Sequence, residues 1–269
     1  MQLHPDLPDG FVEQAKAIVA EVAAFILHER EGFTMGKVEH KGPRDLVSYV
    51  DRQSELMLRE RFEALLPGSG FLGEETGEHG NQHDWLWIVD PLDGTTNFIH
   101  NIPAYCISVG LRHREEMVLG IVHEVPHGEV FWAVKGHGAY LGDKRIHVSE
   151  AASINDALLA TGFPTAKFDR ASDYLAAVQE FLGQCQGIRR FGAAALDLAY
   201  VAAGRLDGFF EIGLKPWDVA GGALIVTEAG GSVSGIEPGG DYLFGRQIAV
   251  SNGKLQQTML EVLRAHLVR

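Results

Sequence analysis

Cysteine is nearly missing from this chain: Cys106 and Cys185 are the only two. They make neither a disulfide framework nor a metal-ligand spacing. Cys106, inside an alternating apolar run, reads as a small core residue. A reducing cytosol fits that usage. Basic residues are also scarce, 23 against 36 acidic ones, so the formal net charge is −13 with histidine neutral. Such an acidic chain is a poor partner for nucleic-acid phosphates or an anionic membrane. No apolar run approaches the length of a membrane span. The opening Met1-Gln-Leu-His-Pro-Asp6 lacks the basic and apolar layout of a signal peptide. Neither an internal repeat nor a low-complexity segment is present. The expectation is a soluble cytoplasmic protein.

What the sequence does hold is an ordinary globular composition over 269 residues, enough for one large domain or two lobes. Its organising stretch is Trp85-Leu-Trp-Ile-Val-Asp90-Pro-Leu-Asp93-Gly-Thr-Thr-Asn-Phe98. An apolar run of strand length meets Asp90-Pro91, where proline fixes its own φ and holds the residue before it extended. Gly94 permits a sharp turn, and Thr95 or Thr96 is placed to cap a helix. This layout can aim Asp90, Asp93 and the Leu92 carbonyl at one point, a hard-oxygen arrangement that suits Mg²⁺. On residue types alone an Asp-rich turn remains the alternative.

The string Asp90-Pro-Leu-Asp-Gly-Thr95 resembles the metal-site motif of the inositol monophosphatase family. Three further stretches resemble that family in the same order: Lys41-Gly-Pro-Arg-Asp-Leu-Val-Ser-Tyr-Val-Asp51, Gly73-Glu-Glu-Thr76, and Trp217-Asp-Val-Ala-Gly221. In the first, Ser48 stands where the family has threonine, so a hydroxyl is kept. The likeness runs from about Lys41 to the last helix. It implies an α+β fold, a layered α-β-α-β-α sandwich forming a single phosphatase domain over 1–269 with two lobes, 1–148 and 149–269. It also implies small sugar, polyol or nucleotide phosphates as substrates, two or three Mg²⁺ ions, a homodimer, and inhibition by Li⁺.

Residue by residue, the resemblance implies that Glu74, Asp90, Asp93, Asp218 and the Leu92 carbonyl hold the metal. Glu74 and Thr95 would orient and deprotonate the attacking water, with Asp51 holding Thr95. Backbone N–H groups near Gly94 and Thr95 would take the phosphate oxygens. Asp93, Gly192, Ala194 and Glu211 would meet substrate hydroxyls, Asp218 would border the substrate, and Lys41 would lie in a loop closing over the site. From residue type alone, a helix N-cap is the commoner role for an acid placed like Asp51 and a competing one for Asp218, and Gly192 to Ala194 read as close-packing residues. Thr96-Asn97-Phe98 resembles the inositol type rather than the Lys-Glu-Phe of the family's nucleotide phosphatases, and Glu211 suits a polyol. The expected substrate is myo-inositol monophosphate. Fructose 1,6-bisphosphate, histidinol phosphate and 3′-phosphoadenosine 5′-phosphate are the alternatives within the family. A non-catalytic regulatory or binding protein is the alternative outside it.

Periodicity predicts a helix over 10–30 capped by Asp9, and a polar loop over 31–44. A strand over 46–50 leads to a helix reaching 66. Antiparallel strands follow over 105–112, 117–125 and 129–134. In the second half, strands are expected over 157–161, 206–211 and 247–251, with helices over 168–182, 193–203 and 255–267. Two strings imitate other sites. Gly68-Ser-Gly-Phe-Leu-Gly73 matches a dinucleotide loop but follows a helix and enters a strand. His123-Glu-Val-Pro-His127 spells a zinc-protease motif, yet Pro126 and Gly128 make it a hairpin turn.

Overall fold

Alternation along the strands decides how this molecule is layered. In the computed structural model, which describes residues 7–34, 38–42, 45–79, 83–164 and 169–268, strand β5 (Trp85–Asp93) sends Trp87 and Val89 to one core and Leu86 and Ile88 to another. Period-two side chains on a strand buried on both faces produce that split. The first core is closed by helices α1 (Phe11–Glu31) and α2 (Tyr49–Leu65), through Val22, Ile26, Leu58 and Phe62. The second is closed by α5 (Ala194–Ala202) and α6 (Pro216–Glu228), through Leu198 and Ile225.

The sheet between those cores has eight strands. Besides β5 they are β3 (Gly70–Gly73), β4 (Gly77–His79), β6 (Cys106–His113), β7 (Glu116–Glu124), β8 (Glu129–Val134), β9 (Gly138–Leu141) and β10 (Lys144–Ile146), in the order β10-β9-β8-β7-β6-β5-β3-β4. Only the β3–β5 pair in it is parallel. The other side of α5 and α6 meets a five-stranded sheet of β11 (Leu158–Thr161), β12 (Gly187–Arg189), β13 (Gly208–Ile212), β14 (Ser232–Ser234) and β15 (Gln247–Ser251), ordered β12-β11-β13-β15-β14. Phe209 and Val250 face α5 and α6, while Phe210 and Ala249 face a third core. Helices α4 (Ala171–Leu182) and α7 (Gln256–Leu267) cover that core with Phe181 and Met259. The result is the expected α-β-α-β-α sandwich of the α+β class. Among the described residues, no helix is long and apolar enough to cross a membrane.

Several local expectations are corrected. Asp9 does not cap α1. Gly10 is the N-cap in a left-handed conformation, and the Pro8 and Gly10 carbonyls take the first amides. Within 31–44, β1 (Val38–Gly42) pairs antiparallel with β2 (Asp45–Ser48) where a loop was expected, while 35–37 and 43–44 lie outside the described residues. Lys41 therefore belongs to a strand along its backbone, and its side chain lies outside what the structure describes. β5 does not stop at Asp90-Pro91. Its pairing with β6 moves from Asp90↔Ser108 to Asp93↔Cys106, with one extra residue on the β5 side.

That bulge has a direct consequence for the site. In regular strand geometry, residues three apart face opposite sides of a sheet. The extra residue restores the phase, because Ser108 and Cys106 are two apart and share a face. Asp90 and Asp93 thus both point toward α5 and α6. Pro91, which has no N–H to give a ladder, is tolerated at such an irregularity.

Candidate active site

The two carboxylates of the β5 bulge meet the first turns of two helices. Asp93 Oδ2 accepts the Ala195 amide of α5 at 2.7 Å, and the Cys106 thiol lies 3.8 Å from the same oxygen. Asp218, in the first turn of α6, accepts the Lys215 amide at 2.7 Å. Asp90 accepts the Leu92 amide at 2.9 Å, closing the turn on itself. Helix N-termini favour negative charge, which partly offsets the burial of Asp93 and Asp218. Asp218 is therefore both the capping carboxylate of α6 and a member of the cluster.

Thr95 opens α3 (Thr95–Ile99), but neither it nor Thr96 caps that helix. The N-cap is Gly94, with φ 92°, a backbone conformation that glycine alone adopts freely. The Thr95 hydroxyl is spent elsewhere: it donates to Asp51 Oδ1 at 2.8 Å and lies 3.1 Å from the Leu92 carbonyl. Asp51 is not the N-cap of α2, since Ser48 holds that position. Asp51 completes a capping box, its Oδ2 accepting the Ser48 amide at 2.8 Å and the Ser48 hydroxyl at 2.7 Å. One oxygen serves the helix and the other serves Thr95.

These residues border a cavity of about 760 Å³. Its wall includes the expected metal-site residues Glu74, Asp90, Leu92, Asp93 and Asp218. It also includes Gly94, Thr95, Gly192, Ala194 and Glu211, whereas Asp51 stands behind Thr95 and is not in the wall. Asn97 ties the halves of the cavity together by donating to the Ala104 carbonyl at 2.6 Å and to the Phe191 carbonyl at 2.7 Å.

Burial pushes Asp90, Asp93, Asp218 and Glu211 up. Asp90 is raised well above the usual carboxylate range, first by burial and then by the charges of Glu74, Asp93 and Asp218. Asp218 is raised well above it by burial, Asp93 and Glu74. Asp93 reaches about 6 through burial, against the pull of the Ala195 and Ala194 amides. Glu211 reaches about 8 for the same main reason, with Arg190 opposing. Among the described residues, no three Asp, Glu, His or Cys side chains are already drawn into a coordination shell. The carboxylates share a wall without meeting at a point. Two costs, burial and mutual repulsion, fall on their ionised forms, and a divalent cation would offset both. The donor set of carboxylates and one carbonyl is hard oxygen throughout, the chemistry that fits Mg²⁺.

The sequence profile of the inositol monophosphatase family matches residues 8–268. The chain belongs to the inositol monophosphatase family. It is 44% identical over 232 residues to the putative Nus factor SuhB of Neisseria meningitidis serogroup B, covering 86% of this chain and 89% of that one. It is 43% identical over 229 residues to the inositol-1-monophosphatase of Rhizobium meliloti, covering 85% and 86%. The crystal structure of the extragenic suppressor protein suhB from Bartonella henselae superposes with a TM-score of 0.88 at 37% identity, covering 95% of this chain and 99% of that one.

Two residues in the wall of this family member escaped the sequence reading. Arg190 and Asp197 both border the cavity. Asp197 is 1% exposed, and its Oδ1 has no hydrogen-bond partner among the described residues. Its signal was a single acid within the apolar run Ala193 to Ala203. The charge of Arg190 opposes the rise of Asp93, Asp197 and Glu211. The two imitation motifs lie elsewhere. Gly70–Gly73 is strand β3 and leads to β4, not to a helix. His123 ends up buried on β7, and His127 sits in the following turn, 2.6 Å from Glu124; neither borders the cavity.

Proposed function

We propose that this protein hydrolyses a small phosphate monoester, with myo-inositol monophosphate as the substrate and Mg²⁺ as the cofactor. The observation that carries the reading is the gathering of Glu74, Asp90, Asp93, Asp218 and the Thr95 hydroxyl on one cavity wall. A relative of 43% identity that bears the name inositol-1-monophosphatase supports it. Glu74, Asp90, Asp93, Asp218 and the Leu92 carbonyl would hold two or three ions. Bound Mg²⁺ supplies charge compensation for the phosphate and lowers the pKa of water bound to it.

The chain's own groups account for the rest. Thr95 gives its single proton to Asp51, so its oxygen is left to accept from the attacking water and orient it. Glu74 takes the water's proton. Amides near Gly94 and Thr95 meet the phosphate oxygens, and Asp93, Gly192, Ala194 and Glu211 meet the ring hydroxyls. At neutral pH a Glu211 raised to about 8 is mostly protonated and can donate as well as accept. The lobes 1–148 and 149–269 each contribute to this arrangement, the segment that carries Lys41 closes over the site, Li⁺ inhibits, and the working unit is a homodimer.

Phosphate release should be measured on inositol 1-phosphate, fructose 1,6-bisphosphate, histidinol phosphate and 3′-phosphoadenosine 5′-phosphate. The expected result is Mg²⁺-dependent turnover with inositol 1-phosphate preferred. Asp93→Asn, which keeps shape and removes charge, should lower turnover on every substrate by a factor on the order of 10²–10³. Full turnover after exhaustive chelation would overturn the metal assignment. A second reading, a regulatory binding role with transcription-related partners, is favoured by the Nus factor name of the Neisseria relative. Folded, Mg²⁺-loaded protein that hydrolyses none of the four esters would select it.

A further inference from the structure

Helix α2 points two carboxylates inward one turn apart. Asp51 reaches Thr95. Glu55, four residues later and therefore on the same face, is fully buried and reaches the turn that carries Glu74. Its Oε2 accepts the Glu75 amide at 2.7 Å. Its Oε1 accepts the Thr76 amide at 2.8 Å and the Thr76 hydroxyl at 2.6 Å. Gly73 completes the seat, because a β-carbon there would overlap the Glu55 carboxyl group.

Burying a carboxylate is costly unless donors surround it. Here three donors do, and all come from the two residues that follow Glu74. Glu74 is thus bracketed, with Gly73 lying flat on the Glu55 carboxyl on one side and the Glu75 and Thr76 amides bound to it on the other. The side chain between them enters the cavity wall. The turn is the three-residue connection of the β3–β4 hairpin, closed by the Gly73↔Gly77 pair, and the Glu55 carboxylate binds its Glu75 and Thr76 donors from outside that ladder.

We propose that Glu55 is a positioning residue for Glu74: from beneath the Gly73–Thr76 turn it sets the direction in which the Glu74 carboxylate meets the cation and the attacking water. This rests on the reading that Glu74 serves a cation. Asp51 and Glu55 then form a pair on one rigid rod, each holding one of the two groups that handle the water.

The test is Mn²⁺ binding, followed by electron paramagnetic resonance on the full-length protein well below its melting temperature, with Tm measured separately. E55Q keeps the shape but turns an NH₂ group toward N–H donors. E55D keeps the charge but withdraws both oxygens by one methylene. Both should weaken Mn²⁺ binding on the order of tenfold, the range seen when groups supporting a metal ligand are altered. With inositol 1-phosphate, kcat should fall and the Mg²⁺ needed for half-activation should rise, with KM nearly unchanged. T76V removes one donor at an exposed residue and should shift binding in the same direction, by about two- to threefold.

V22A, a buried change in α1 outside the cavity wall, serves as the stability control and should lower Tm with Mn²⁺ affinity unchanged. If E55Q and E55D lose Tm as V22A does yet bind Mn²⁺ like wild type, Glu55 is structural and the proposal falls. Weakening in E55Q with none in E55D would mean that only its charge matters, which also overturns positioning. Should the Glu55 variants not fold, wild-type affinity in T76V overturns it and weakened affinity upholds it. Wild-type protein that binds Mn²⁺ but hydrolyses no ester would end the phosphatase reading while leaving the Glu55 comparison intact. Wild-type protein that binds no Mn²⁺ would overturn both.

Discussion

The Glu211 carboxyl group fills the space that a side chain at Gly162 would need. A β-carbon at Gly162 would overlap the carboxyl carbon and both oxygens of Glu211. Gly162 follows β11 directly and Glu211 lies on its neighbour β13, so the contact is fixed by the pairing of two strands. Gly162→Ala should fold, because the far end of Glu211 can swing aside, but it should move that carboxyl off its place in the wall. We expect KM for inositol 1-phosphate to rise about fivefold, the worth of a hydrogen bond of about 1 kcal/mol. Glu211→Gln should act in the same direction. Turnover of p-nitrophenyl phosphate, which has no ring hydroxyls, should be unchanged in both. Equal losses on the two substrates would place Glu211 in the chemistry instead.

The raised acids give the metal-free protein a definite pH dependence. Asp93 rises from 3.8 to about 6 and Glu211 from 4.5 to about 8. Folding therefore takes up protons between the unfolded and folded values. The stability these groups supply is complete below about pH 4 and is lost as pH climbs through about 6 and then about 8. Mg²⁺ should reverse that loss by favouring the ionised forms. Calorimetry in chelator should show Tm falling from about pH 5 to about pH 8. The increase in Tm on adding Mg²⁺ should be larger at the higher pH. An increment independent of pH would show that the acids do not bind the ion.

His123→Ala combined with His127→Ala should leave turnover near wild type. The first ring is buried on β7 and held below its ordinary range by that burial, and the second is tied to Glu124 in an exposed turn. Removing His123 empties buried space, so a lower Tm is expected without a change in kcat. A large loss of kcat at a temperature where the protein stays folded would mean that the hairpin takes part.

The readable parts of this molecule were those whose cause is local. The stripe Phe11, Ala15, Val19, Val22, Ile26 announced α1, and alternation announced β6, β7 and β8 to within a few residues. The site motifs were readable because Asp90, Leu92, Asp93 and Thr95 are nearly consecutive. Short strands such as β9, β10, β12 and β14 were not, since three or four residues are too few to show a period and depend on a neighbour for pairing. The bulge at Asp90 to Asp93 was invisible for a related reason: register belongs to two strands, not one. Glu55, Arg190 and Asp197 looked like ordinary helix or loop residues because what they touch is remote in sequence. Glu55 meets residues 20 and 21 positions away.

The bond from Ala195 to Asp93 spans 102 positions of chain, and Asp218 lies farther still along it. Glu74, Asp90 and Asp93 come from the eight-stranded sheet and the turn beside it, whereas Asp218 and the Ala195 amide arrive on two helices that pack between that sheet and the second one. Closing a loop of that length carries an entropic cost that local contacts do not. A growing chain that has reached α4 owns Glu74, Asp90 and Asp93 but lacks the wall that completes them. An ion bound as proposed would have its full set of ligands only once α6 has brought Asp218 to the wall, and so would slow the opening of the finished protein rather than speed its assembly.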